Sequence, residues 1–144
     1  MLFGKKERRI VRVLVVEDEP LVAFDTEHFL GSEGYEIVGT VDTVADALAA
    51  IEDPGDIHLV LVDVKLSDGS GVDVARAAHA RGISVIFVTG NFPDEARTLA
   101  VGCLAKPYQQ RDLLAVIKML ETIIDGKPPK RLPSGFSLFG QAAA

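Results

Sequence analysis

One cysteine, Cys103, and no tryptophan stand in a chain of 144 residues. A lone thiol excludes an internal disulfide and leaves a reducing cytoplasm as the expected setting. Basic residues are the minority, 15 Lys plus Arg against 21 Asp plus Glu, for a net charge of −6. Broad attraction to nucleic acid or to an anionic membrane is therefore excluded; Lys5, Lys6, Arg8 and Arg9 make only a small basic patch. No apolar run approaches the roughly 20 residues that span a bilayer. The first ten positions carry charges with no apolar segment after them, unlike a signal peptide.

What is present is a 48% hydrophobic chain, enough for the core of one ordinary domain. Short β-branched runs over 11–16, 37–41, 59–62 and 85–88, with a weaker one over 103–105, alternate with stretches of helical period over 21–30, 44–51, 72–80, 94–100 and 111–124. "VLVV" and "LVLV" are continuously apolar, as strands covered on both faces must be. The pattern predicts a (βα)5 α/β fold, a doubly wound five-stranded parallel sheet. Gly31 and Gly34 are expected to end the first helix, Thr43 to cap the second, and Pro54 and Gly55 to close it. The chain then divides into a flexible basic segment over 1–10, a folded unit over 11–125 and an irregular tail over 126–144, with no output domain. Phe136, Leu138 and Phe139 are the tail residues expected to dock.

Parallel α/β sheets bind ligands outside the C-terminal strand ends. The first strand ends in Glu17 and Asp18, and the third ends in Asp63. A right-handed crossover allows those strands to lie side by side, which gathers the three carboxylates. Two carboxylates about 5 Å apart repel by about 3 kcal/mol at an effective dielectric near 20, so the cluster calls for a compensating cation. Oxygen ligands without histidine or cysteine suit Mg²⁺. Thr89 and Lys106 end the fourth and fifth strands on the same edge. A hydroxyl and an ammonium there suit a transferred phosphoryl group, with Asp63 as the nucleophile.

"VLVVEDEP", "LVLVDVKLSDGSG", "VIFVTG" and "AKPY" occur in the order and strand positions of the bacterial two-component response-regulator receiver domain, the CheY-like, flavodoxin-like fold, and the chain resembles that family over about 12–124. "FVTGN" is similar to the Phe-Ala-Thr-Gly motif of a stand-alone, single-domain subgroup. The resemblance implies that Glu17, Asp18, Asp63 and the Lys65 main-chain carbonyl hold Mg²⁺. It implies that Asp63 takes phosphate from a sensor histidine kinase or histidine phosphotransfer protein, and that Thr89 and Lys106 bind the phosphoryl oxygens. It further implies a cis peptide before Pro107, a downstream protein target, and a monomer or a phosphorylation-dependent dimer. Self-phosphorylation and autodephosphorylation are then the only chemistry, and the chain is not an enzyme with an external substrate.

Some features depart from that family or admit other readings. Many receivers carry an aromatic where Cys103 stands, three positions before the lysine; Tyr108 and Phe92 are the candidates to replace it. The segment after Thr89 and Gly90 is expected to be a short, mobile helix. A phosphate-independent binding module is the alternative reading. An aspartyl-phosphate phosphatase is disfavoured because Lys65 stands where many such enzymes need a second acid. His28, His58 and His79 lack ligand spacing and are assigned packing or surface roles, with His28 on the helix face that meets the kinase in this family. "DGSG" lacks the third glycine of a nucleotide loop.

Overall fold

The computed structural model describes residues 8–53 and 55–140; Lys5, Lys6, Pro54 and positions 141–144 lie outside the described residues. In chain order the elements are β1 (Arg12–Val16), α1 (Pro20–Ser32), β2 (Glu36–Val41), α2 (Val44–Glu52), β3 (Leu59–Val62) and a short antiparallel hairpin of β4 (Lys65–Leu66) and β5 (Gly69–Ser70). There follow α3 (Gly71–Ala80), β6 (Ser84–Thr89), a 3₁₀ helix (Asp94–Leu99), β7 (Gly102–Ala105), α4 (Gln110–Ile124) and β8 (Phe136–Leu138).

The main sheet runs β2-β1-β3-β6-β7-β8. Its first five strands are parallel neighbours, the expected doubly wound set. Strand order reverses between β1 and β3, so that pair marks the switch point where such sheets bind ligands. All four residues of β3 are buried, as its uninterrupted "LVLV" requires.

Two apolar layers cover the two faces. One gathers Ile10, Leu30, Ile86 and Leu104 with the α4 stripe, of which Leu113, Val116, Ile117 and Leu120 are buried, while Ile124 emerges to 41% exposure. The other packs Val74, Ala75 and Ala78 of α3 and Ile51 of α2 on Val60, Val85 and Phe87.

Two expectations need correction and a third is sharpened. Gly31 lies inside α1; the helix stops at Ser32, and Gly34, with φ of +94°, takes the left-handed conformation beyond it. The short helix expected after Thr89 is present over Asp94–Leu99 and is of the 3₁₀ type, with Pro93 at its N-cap position and Ala96 buried. The tail is not irregular throughout, because β8 pairs antiparallel with β7 as a sixth strand and buries Phe136 and Phe139.

The "DGSG" loop is a brace. Asp68 accepts hydrogen bonds from the Val44 and Ala45 amides at the start of α2, and Ser70 caps α3 by accepting from the Val72 amide. Gly71 donates its N–H to the Val64 carbonyl at 2.6 Å, and a Cβ on it would collide with the Asp63 main-chain oxygen. Gly71→Ala is therefore expected to lower stability by about 1–3 kcal/mol through overpacking. Urea unfolding measures this, and a midpoint equal to the parent's would refute the contact.

Candidate phosphoryl-acceptor site

Sheet register builds the site. Val16 of β1 lies opposite Val62 of β3, so the residues that follow them, Glu17 and Asp63, leave the sheet side by side. Main-chain bonds fix both: the Glu17 amide donates to the Val41 carbonyl at 2.9 Å and the Asp63 amide to the Val16 carbonyl at 3.1 Å. Thr89 of β6 lies opposite Ala105 of β7, and the Lys106 amide donates to the Thr89 carbonyl, which places the lysine beside the hydroxyl residue. The Lys106–Pro107 peptide is cis.

Glu17, Asp18 and Asp63 each offer a carboxylate oxygen within 4.8 Å of the others, with Glu17 and Asp63 buried. At that spacing each pair of charges repels by about 3 kcal/mol at an effective dielectric near 20. The Lys106 ammonium offsets part of this, donating to Asp63 Oδ2 at 2.7 Å and to Glu17 Oε2 at 2.9 Å. A third acceptor, Glu19 Oε2 at 2.8 Å, escapes the sequence reading. Glu19 stands at the N-cap of α1 yet makes no cap hydrogen bond, because its side chain reaches the lysine instead. The only sequence signal for it is a third acid directly after the pair in "EDEP".

Burial alone would lower the Lys106 pKa, but its hydrogen bonds to Asp63, Glu17 and Glu19 outweigh this and hold the ammonium above the usual lysine range. Glu17 moves the other way in its own balance: burial raises its pKa above the usual value, and the bonds from Lys106 and the Glu19 amide only partly oppose that. The pocket thus retains an excess of negative charge that a cation would relieve. Its donors are all hard oxygens, which fit Mg²⁺ better than a soft metal.

The Thr89 hydroxyl is turned toward its own loop, in long contacts with the Asn91 main chain, donating to its carbonyl at 3.4 Å and accepting from its amide at 3.3 Å. The Lys65 amide lies 3.3 Å from Asp63 Oδ1. Cys103 is buried in β7 opposite Phe87, its thiol pushed up to about 11 by burial. Of the two candidate aromatics, Tyr108 shares a 3.0 Å hydrogen bond with Thr26 of α1. Phe92 belongs to the loop after Thr89 and packs edge-on to Phe87, with 5.1 Å between ring centroids.

His58 is structural, its Nδ1 accepting from the Val11 and Arg12 amides. His79 lies exposed on α3. His28 is exposed on α1, its ring 4.0 Å from that of Phe24.

Residues 13–118 match the family model described as "Response regulator receiver domain". The chain is 35% identical over 116 residues to "Transcriptional regulatory protein PdtaR" of Mycobacterium tuberculosis H37Rv, covering 75% of this chain and 55% of that protein. To "Phyllosphere-induced regulator PhyR" of Methylorubrum extorquens it is 32% identical over 110 residues, 73% of this chain and 41% of that one. The chain thus spans about half the length of the curated relatives it matches. Its fold is similar to the CheY-like receiver domain protein of Methanospirillum hungatei, with a TM-score of 0.72 and 31% identity over 81% of this chain and 98% of that one. No helix among the described residues is long and apolar enough to cross a membrane.

The Glu17 shift has a definite sign. Between the usual glutamate value near 4.5 and its raised value, the unfolded chain releases this proton while the folded chain keeps it, so Glu17 makes folding less favourable as pH rises through that interval. The raised Lys106 pKa adds no slope there, because that lysine is protonated in both states. Without divalent metal, parent stability should therefore fall relative to Glu17→Gln as pH rises from about 4.5 through the raised Glu17 pKa. Urea titrations across that range test it; a constant difference would contradict the burial argument.

Proposed function

The chain belongs to the response regulator receiver domain family of two-component systems, and on that premise we propose that Asp63 is the phosphoacceptor of a phosphorelay. The carrying observation is the Lys106 ammonium 2.7 Å from Asp63 Oδ2 inside an otherwise anionic pocket. An Asp63 oxygen attacks the phosphorus of a phosphohistidine, an O–P bond forms, the N–P bond breaks, and the departing imidazole takes up a proton. The charge spread over the phosphoryl oxygens is met by Lys106, whose donors exchange Asp63 for phosphate. Thr89 contributes a second donor once its hydroxyl leaves Asn91. Hydrolysis reverses the charge: water attacks phosphorus, the acyl O–P bond breaks, and the carboxylate returns to Lys106.

Glu17, Asp18, Asp63 and the Lys65 main-chain carbonyl are the residues that would hold Mg²⁺, which when bound supplies further positive charge to the phosphoryl oxygens. Receiver domains are generally non-catalytic signalling domains, and this reading gives the chain no external substrate to turn over.

The donor is a sensor histidine kinase or a histidine phosphotransfer protein, and the α1 face is the surface that favours such a partner. Leu21 and Phe24 are 79% and 56% exposed there, with His28 stacked on Phe24. A groove of about 380 Å³ lined by Glu19, Thr26, Lys106 and Tyr108 runs beside α1 and reaches the lysine that binds Asp63. Large exposed apolar residues beside a reactive pocket suit transient docking of an apolar helix surface. Output passes to a downstream protein through contacts.

Incubation with Mg²⁺ and acetyl phosphate should add one phosphoryl group to the parent by intact mass and none to Asp63→Asn. Lys106→Ala should slow the uptake by about 100-fold. Labelling of a residue other than Asp63, or uptake independent of Lys106, would overturn the assignment.

A further inference from the structure

The strand that completes the sheet, with Phe139 just after it, touches both the loop that follows Thr89 and the strand that ends before Lys106. β8 lies along β7 with Phe136 opposite Leu104, Ser137 opposite Cys103 and Leu138 opposite Gly102. It is fastened at each end, the Ala105 amide donating to the Gly135 carbonyl at 2.9 Å and the Phe139 amide to the Val101 carbonyl at 2.8 Å. Residue 102 admits the strand because it has no side chain: a Cβ there would collide with the Ser137 carbonyl and the Phe136 ring. Phe136 and Phe139 are 6% and 2% exposed, so the tail is packed against the domain rather than lying along its surface.

The contacts of Phe139 lead back to the acceptor. Its ring lies 4.9 Å from that of Phe92, which in turn packs on Phe87 of β6. The Arg97 guanidinium sits 4.7 Å from the Phe139 ring centroid. The segment from Asn91 to Arg97 is thereby held at one end by the Thr89 hydroxyl and at the other by the tail. At the far end of β7, the residue bonded to Gly135 directly precedes Lys106.

Resting on the phosphoacceptor reading above, we infer that docking of the C-terminal strand on the β7 edge is coupled to the phosphoryl state of Asp63. The docked tail favours the loop arrangement in which Thr89 bonds Asn91. A phosphoryl group on Asp63 draws that hydroxyl away, shifts the Phe92 loop, weakens the seat of Phe139 and releases the strand. A sheet edge that the chain covers itself at rest is then open to a partner only in the phosphorylated form. Antiparallel pairing of this kind is readily replaced by another strand, since main-chain bonds supply most of the recognition. The tail acts as the occupant that keeps the edge closed until then.

Coupling of this kind is reciprocal: if the phosphoryl group weakens tail docking, loss of docking strengthens phosphoryl binding by the same factor. Beryllofluoride with Mg²⁺, a phosphoryl mimic, supplies the probe on the full chain. Hydrogen exchange at residues 102–105 and 136–139 of the parent should quicken when it binds. Phe139→Ala and Gly102→Ala, which loosen the tail from opposite sides of the contact, should each bind it about 5- to 10-fold tighter by calorimetry. Binding with unchanged or slower exchange, or with equal or weaker affinity in the folded variants, overturns the coupling and leaves Asp63 as acceptor. Failure of the parent to bind the mimic overturns both readings. The exchange comparison uses the parent alone, so it decides the matter even where a variant does not fold.

Discussion

A single ammonium group makes the acidic edge of this sheet tenable. Lys106 is shared by Asp63, Glu17 and Glu19, and the first two of these acids are buried. Without a cation, burial and mutual repulsion would make those charges a direct cost to folding. Burial keeps the Glu17 pKa raised against the opposing bonds from Lys106 and the Glu19 amide. Three clustered carboxylates and Glu19 still outnumber the one lysine, so a bound cation would stabilise the pocket further.

The geometry behind this interaction is main-chain geometry. Glu17 and Asp63 emerge together because Val16 and Val62 are in register, and Lys106 follows the residue paired with Thr89. Each strand is anchored by apolar side chains on both faces, so the charged ends inherit the rigidity of the core. The brace beneath Asp63 is equally specific, since Gly71 packs where any side chain would strike the Asp63 carbonyl. Asp68 and Ser70 in the same loop tie the starts of α2 and α3 to it.

Much of this was legible in the sequence, for a physical reason. Continuous apolar runs mark doubly covered strands, and in a parallel sheet the residue after each run lands on one edge, so Glu17, Asp18, Asp63, Thr89 and Lys106 could be grouped without coordinates. Glu19 could not be grouped with them, since an acid before a proline at a helix start reads as a cap, and only the structure shows its carboxylate turned to Lys106. The sixth strand was hidden because "FSLF" is short and set among prolines and glycines, while its partner site is defined by what Gly102 lacks. The 3₁₀ helix after Thr89 has the composition of an α-helical segment. Phe92, from the loop after Thr89, packs on Phe87, the residue opposite Cys103, a proximity that spacing along the chain does not reveal.

The central claim is that Glu17, Asp18 and Asp63 form a cation-accepting pocket that Lys106 only partly neutralises. The melting temperature with and without Mg²⁺, in the parent and in Asp18→Asn, tests it most directly. A ligand that binds only the folded chain stabilises it by mass action, so Mg²⁺ should raise the parent's melting temperature and raise that of Asp18→Asn far less. An unchanged melting temperature in the parent, or an equal rise in both proteins, would contradict the account.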